Sequence, residues 1–136
     1  MDFINCGSGY YVKEKINKHT IFVLFQKEYI KKHERLEWYV VLWVYRKRKK
    51  ADSMMFNKET TFENGILNLL FAKKAIIEFI DFIKKERFSR YNSWIIIQAT
   101  DERRFNVYKR GVKGLNFITE FHNGAKSLIW KEEKNE

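Results

Sequence analysis

The sequence predicts a single α/β domain of the α+β kind, with a mixed central sheet of about six strands, one long helix and a second, shorter helix. Three observations lead there. Two segments, 36–46 and 93–99, are apolar on both sides of an alternating pattern, as strands in the middle of a covered sheet are. Each is followed by a stretch whose apolar residues recur with a helical period. The 136 residues hold no proline and no Gly/Ser-rich stretch, so nothing divides residues 1–136 into two units.

In order, Tyr10, Val12 and Ile16 alternate with Lys13 and Lys15, Asn17-Lys18-His19 makes a turn, and residues 20–26 are dense in β-branched and aromatic types. That is a hairpin pattern. In 36–46 both alternating sets are apolar: Leu36, Trp38, Val40, Leu42 and Val44 on one side, Tyr39, Val41, Trp43 and Tyr45 on the other. The basic run 46–50 ends this strand, and a polar stretch continues to about Thr61. From Phe62 to about Lys85, Lys74, Glu78, Asp81 and Lys85 form one polar stripe, while Ile66, Leu70, Ile76, Ile77, Phe79, Ile80 and Ile83 fill the rest. This is a long amphipathic helix with a broad buried face. Ser93–Ala99 is the second central strand. Thr100 is its helix's N-cap, with Asp101 and Glu102 in the first turn, where the helix dipole favours negative charge. Phe105, Tyr108, Val112 and Leu115 then place one apolar stripe on a helix over 101–114. Segments 117–121 and 125–131 flank Asn123-Gly124, a strong hairpin signal, and 132–136 is expected to fray. The order is three strands, long helix, strand, helix and two strands, without internal repeats.

Composition narrows the function classes. A 45% hydrophobic, 17% aromatic chain supports a core and excludes disorder as a whole-chain description. Cys6 is the only cysteine, so no internal disulfide forms. The N-terminus lacks a signal-peptide pattern, and the longest apolar run, 38–45, is far short of the ~20 residues that span a bilayer. Cytoplasmic residence without a membrane partner is the expectation. The net charge of +10 favours polyanions, whether nucleic acid, acidic protein or phosphorylated ligand. The densest cations, Arg46, Lys47, Arg48, Lys49 and Lys50, are candidate anion- or partner-binding residues, or simply a solvated loop after a strand. The aromatic rings that nucleic-acid stacking requires are indistinguishable from core rings at this stage. His19, His33, His122 and Cys6 are scattered, with no zinc-like spacing, so no metal is expected. No nucleophile-elbow, Walker or dinucleotide motif occurs. Glu37 lies on a central strand, where a general base for an amine could sit.

Two segments carry a family resemblance. Residues 101–110, Asp-Glu-Arg-Arg-Phe-Asn-Val-Tyr-Lys-Arg, followed by Leu115-Asn116-Phe117, resemble the fourth-helix signature of the GNAT acyltransferases, with Asn116 where the family has glycine. Residues 65–75 resemble the start of that family's third helix, and the order β-β-β-α-β-α-β-β resembles the fold from its second strand onward. The resemblance covers roughly residues 10–131. It implies acetyl-coenzyme A as cofactor, with the pantetheine arm paired to a backbone edge freed where the two central strands splay. The pyrophosphate would sit on the amides of Asn64, Gly65 and Ile66, at a helix N-terminus. It implies direct transfer to an amine, with Tyr108 as the proton donor to the departing thiolate. In the phosphate loop Gly65 is kept, but Phe62 stands at the polar head and Leu67 at a small-residue position. The family's leading strand and two helices have no counterpart in residues 1–9. The helix at 101–114 is then left to cover one sheet face, and the apolar remainder of that face implies a homodimer or a target protein. The resulting functional expectation is an acyl-coenzyme A N-acyltransferase, reduced or inactive in one version. The alternative is a basic binding or inhibitor protein, of the kind phages and mobile elements encode, acting on an acidic protein or nucleic acid.

Overall fold

The computed structural model describes residues 1–46, 49–54, 62–86 and 91–133, as backbone alone at 46, 49–54 and 62–64. Its two longest strands, β3 (His19–Ile30) and β4 (Arg35–Arg46), are the chain's most β-branched and aromatic stretches. They pair antiparallel along their whole length, joined by a short 3-10 turn at Lys31–His33. Preceding them are β1 (Ile4–Asn5) and β2 (Gly9–Ile16). After β4 come β5 (Lys49–Met54), α1 (Phe62–Glu86), β6 (Asn92–Gln98), α2 (Glu102–Gly111), β7 (Ile118–His122) and β8 (Ala125–Lys131). All eight strands form one mixed sheet, in the path β1-β2-β3-β4-β6-β8-β7, with β5 attached to β4. The β4–β6 pair is parallel and the others are antiparallel. The class is mixed α+β.

Left-handed turn residues sit where the chain reverses: Asn17 between β2 and β3, Asn123 and Gly124 between β7 and β8. Asn116 also lies in that region, a conformation asparagine tolerates. Gly9 answers a different demand, because a Cβ there would stand 1.9 Å from the Phe25 carbonyl oxygen.

Both helices pack on the same face of the sheet. Phe71, Ala75, Ile76, Phe79 and Ile83 of α1 and Phe105 and Tyr108 of α2 join Trp38, Val40, Leu42, Ile95, Ile97 and Leu128 in one core. Phe79 is its centre, fully buried and stacked on Phe25 at 3.9 Å between ring centroids, with Trp38, Phe3 and Phe82 around it.

Several expectations change. The sheet has two strands more than anticipated, β1 and β5. The sequence of β5, Lys-Lys-Ala-Asp-Ser-Met, is poor in strand-forming residues, and its pairing with β4 satisfies backbone groups. The buried face of α1 is narrower than its sequence suggests, since Ile66, Leu70 and Ile77 are exposed. Asp101, not Thr100, caps α2: its carboxylate accepts from the Arg104 amide at 2.8 Å, while the Thr100 hydroxyl accepts from the Arg104 guanidinium at 3.0 Å. The second helix does not cover the other sheet face but shares that of α1, because its Phe105, Tyr108 and Val112 stripe meets the same core. Glu132, expected to fray, is held to Ser93 by two hydrogen bonds, and residues 134–136 lie outside the described part.

Truncating the central ring tests this packing. Phe79→Ala should lower unfolding free energy by about 3–5 kcal/mol, read from urea denaturation.

Candidate functional site

Strands β4 and β6 pair only from Arg35–Asn92 to Tyr39–Ile96 and then part. On the β6 side, Ile97 and Gln98 continue the ladder with β8. On the β4 side, Val40 and Val41 have no strand neighbour on that edge among the described residues, and from Leu42 onward the edge is taken by β5, through Leu42–Met54, Trp43–Ser53, Val44–Asp52 and Arg46–Lys49. Among the described residues the expected backbone slot is therefore two residues long before the chain's own strand fills it.

A space opens on each side of the parting. Between sheet and helices lies a cavity of about 50 Å³, lined by Val40, Leu42, Ile97, Leu69, Ile76 and Tyr108 among others. On the opposite face is an open hollow of about 590 Å³, bordered by Gln26, Tyr39, Val41, Ile96, Gln98 and Asn123. Tyr108 is buried, and burial pushes its phenol well above the ordinary value, so it stays protonated. Asn64, Gly65 and Ile66 fall in the first turn of α1. Gly65 shares a helix face with Leu69, Ala72 and Ile76, about one turn before the cavity wall. Ile66 points outward, 43% exposed. Of the basic run, Arg46 ends β4 and Lys49 and Lys50 open β5; Lys47 and Arg48 lie outside the described residues.

The sequence did not bring together the polar network on the helix-free face. Glu37 is fully buried there, near the start of β4. Its carboxylate accepts from Arg35 Nε at 2.8 Å, from the Tyr39 hydroxyl at 2.9 Å and from His122 Nε2 at 2.9 Å. For that last contact Nε2 must carry a proton, since an ionised carboxylate only accepts. The β7–β8 hairpin reaches back over the face to make it. Asn123 Nδ2 donates to the Tyr39 hydroxyl at 2.9 Å, and Gln98 Nε2 donates to the His122 carbonyl at 3.1 Å. The Arg35 guanidinium lies 3.6 Å above the Trp94 ring, with the Lys131 ammonium 4.5 Å from the same ring.

Burial alone would raise the Glu37 carboxyl, but the hydrogen bonds from His122, Arg35 and Tyr39 outweigh it and hold it below the usual carboxylate range. Burial, then the Glu37 charge, pushes the Tyr39 phenol up. A carboxylate saturated by three donors and lowered in proton affinity is an anchor rather than a general base. It fixes Tyr39 at the rim of the hollow and, through His122, the hairpin that brings Asn123 there. Among the described residues no cluster of His, Cys, Asp and Glu could hold a metal ion, and no helix is long and apolar enough to cross a membrane.

The sign of the Glu37 shift sets a test. A lowered folded value means stability that is fully present above about pH 4.3 and lost as pH falls through the folded pKa. Glu37→Gln should cost about 2 kcal/mol at neutral pH. The gap to the parent should narrow on acidification, measured by urea denaturation across a pH series.

Compared with known proteins, the chain matches no protein-family model, no curated protein and no solved structure.

Proposed function

We propose that this chain is a GNAT-like domain reduced from acyl transfer to binding: a basic protein that works through its helix-free sheet face. The observation that carries this reading is the pairing of β5 with β4. In the family it resembles, the freed edge of this strand receives the pantetheine arm of the cofactor, and here that edge is occupied from Leu42 onward by residues 49–54. The residues present do not fit the arm as the chain is folded. The helix-side cavity of about 50 Å³ is far below the ~300–1,000 Å³ of ordinary small-molecule sites. The start of α1 adds to this, with Leu67 where close approach to phosphate asks for a small residue. On this reading Tyr108 is a core residue, on the same stripe as Phe105 and Val112.

A second reading, an acyl-coenzyme A-dependent N-acyltransferase, is favoured by one observation of its own. The two parallel strands do part, Tyr108 lines the space beneath, and an open hollow of about 590 Å³ lies above.

Titration calorimetry with acetyl-coenzyme A separates the two. Absence of heat at high cofactor concentration is the expected outcome. Micromolar binding, with acetyl transfer to a primary amine that Tyr108→Phe abolishes, would replace the binding reading by the enzymatic one.

A further inference from the structure

The helix-free face divides into two halves. Around Glu37 it is closed by the β7–β8 hairpin; over β2, β3 and β4 no described residue covers it. Strand register arranges that second half in rows. Lys15 stands beside Thr20 and Tyr45, Lys13 beside Phe22 and Trp43, and Tyr11 beside Leu24 and Val41. Trp43 is 38% and Tyr45 47% exposed, large fractions for rings on a sheet. Phe22 and Tyr11 are half-buried next to them, their ring centroids 6.0 Å apart. Lys13 and Lys15 are exposed. Among the described side chains of these rows there is no carboxylate; Glu28, Glu37 and Glu120 belong to the other half of the face, and Glu14 to the helix side. The β2–β3 turn at Asn17-Lys18 and the end of β4 at Arg46 meet the same edge, where β5 begins with Lys49 and Lys50.

We infer that this half-face binds single-stranded nucleic acid, with bases stacked on Trp43 and Tyr45 and phosphates neutralised by Lys13 and Lys15. The inference names the partner of the binding reading above, on which it rests. Lysine and aromatic positions in one row lie about two strand spacings apart, roughly 10 Å, so a strand crossing the face meets rings and cations together. Every base offers a π-face, so exposed rings beside cations suit a sequence-tolerant single strand. A duplex keeps its base faces stacked inside, out of reach of rings on a sheet face. An acidic protein would pair with the lysines and bury the rings as interface cores do, so the polyglutamate and sedimentation arms of the test are what separate it from nucleic acid. A second copy would set +10 against +10.

The test is fluorescence anisotropy with labelled oligothymidylate and oligouridylate over a salt series, with polyglutamate as competitor and the same protein in sedimentation. Expected is binding whose log K falls by about 0.7 per log unit of salt for each phosphate neutralised. Trp43→Ala and Tyr45→Ala should each weaken it about ten-fold without altering that slope, while Trp43→Phe keeps most of the affinity. Lys13→Gln with Lys15→Gln should reduce the slope by about 1.4, and these exposed positions leave the fold intact as judged by circular dichroism. The inference is overturned by no oligonucleotide binding at low salt, by binding indifferent to both rings, by displacement with polyglutamate at equal charge, or by a dimer that buries Trp43. Acetyl-coenzyme A calorimetry is a separate readout, so failure of the binding reading and failure of this partner are distinguishable.

Discussion

The backbone of β4 is the constraint on which everything else hangs. Each of its amides and carbonyls needs a partner once the strand is buried, and an unpaired one costs about as much as a lost hydrogen bond. One edge is fully served by β3, from Arg35 to Arg46. The other is shared in sequence by β6 and β5, with Val40 and Val41 between. That division fixes where the parallel pair ends, and hence where the sheet has an opening at all. Without β5, the free edge of β4 would run from Val40 to Arg46, the situation in which another chain or a ligand adds itself as a strand.

The two faces of β4 follow from the same backbone by alternation. Even-numbered residues from Leu36 to Val44 meet both helices and are buried. Odd-numbered ones face away: Tyr39 and Val41 are half-covered, Trp43 and Tyr45 exposed. Glu37 breaks the trend, fully buried on the face without helices. A charge can be kept there only because three donors, the Arg35 guanidinium among them, compensate its lost hydration. The network also decides the shape of the face, since by holding His122 it draws the β7–β8 hairpin over one half and leaves the other open.

Much of this was legible in the residues, and the exceptions have physical causes. The long helix, the two central strands and the Asn123-Gly124 hairpin rest on local period and turn chemistry, which survive any tertiary context. β5 was invisible because its side chains do not ask to be a strand; the unpaired edge of β4 does. The stripe Phe105, Tyr108 and Val112 announced that α2 has a buried side without saying which face of the sheet it meets. Glu37 and His122 are 85 positions apart, and no local signal joins them. Trp38 and Trp43 look alike in sequence, one fully buried and the other exposed; only their parity, together with the side on which the helices lie, separates core from surface.

That parity bears directly on function. A strand apolar on both faces reads as a central strand covered twice, and here no described residue supplies the second cover over half its length. The aromatic residues kept on the open half are not accounted for by the core, which is complete on the other side with Phe79 at its centre. Nor are they explained by solubility, which exposed tryptophan and tyrosine work against. Beyond Phe22 and Thr20 in the same rows stand Lys13 and Lys15 rather than carboxylates, in a chain with 27 basic and 17 acidic residues. A planar, anionic partner of the kind proposed above would satisfy the apolar rings and the lysines of one half-face together, by stacking and by charge neutralisation.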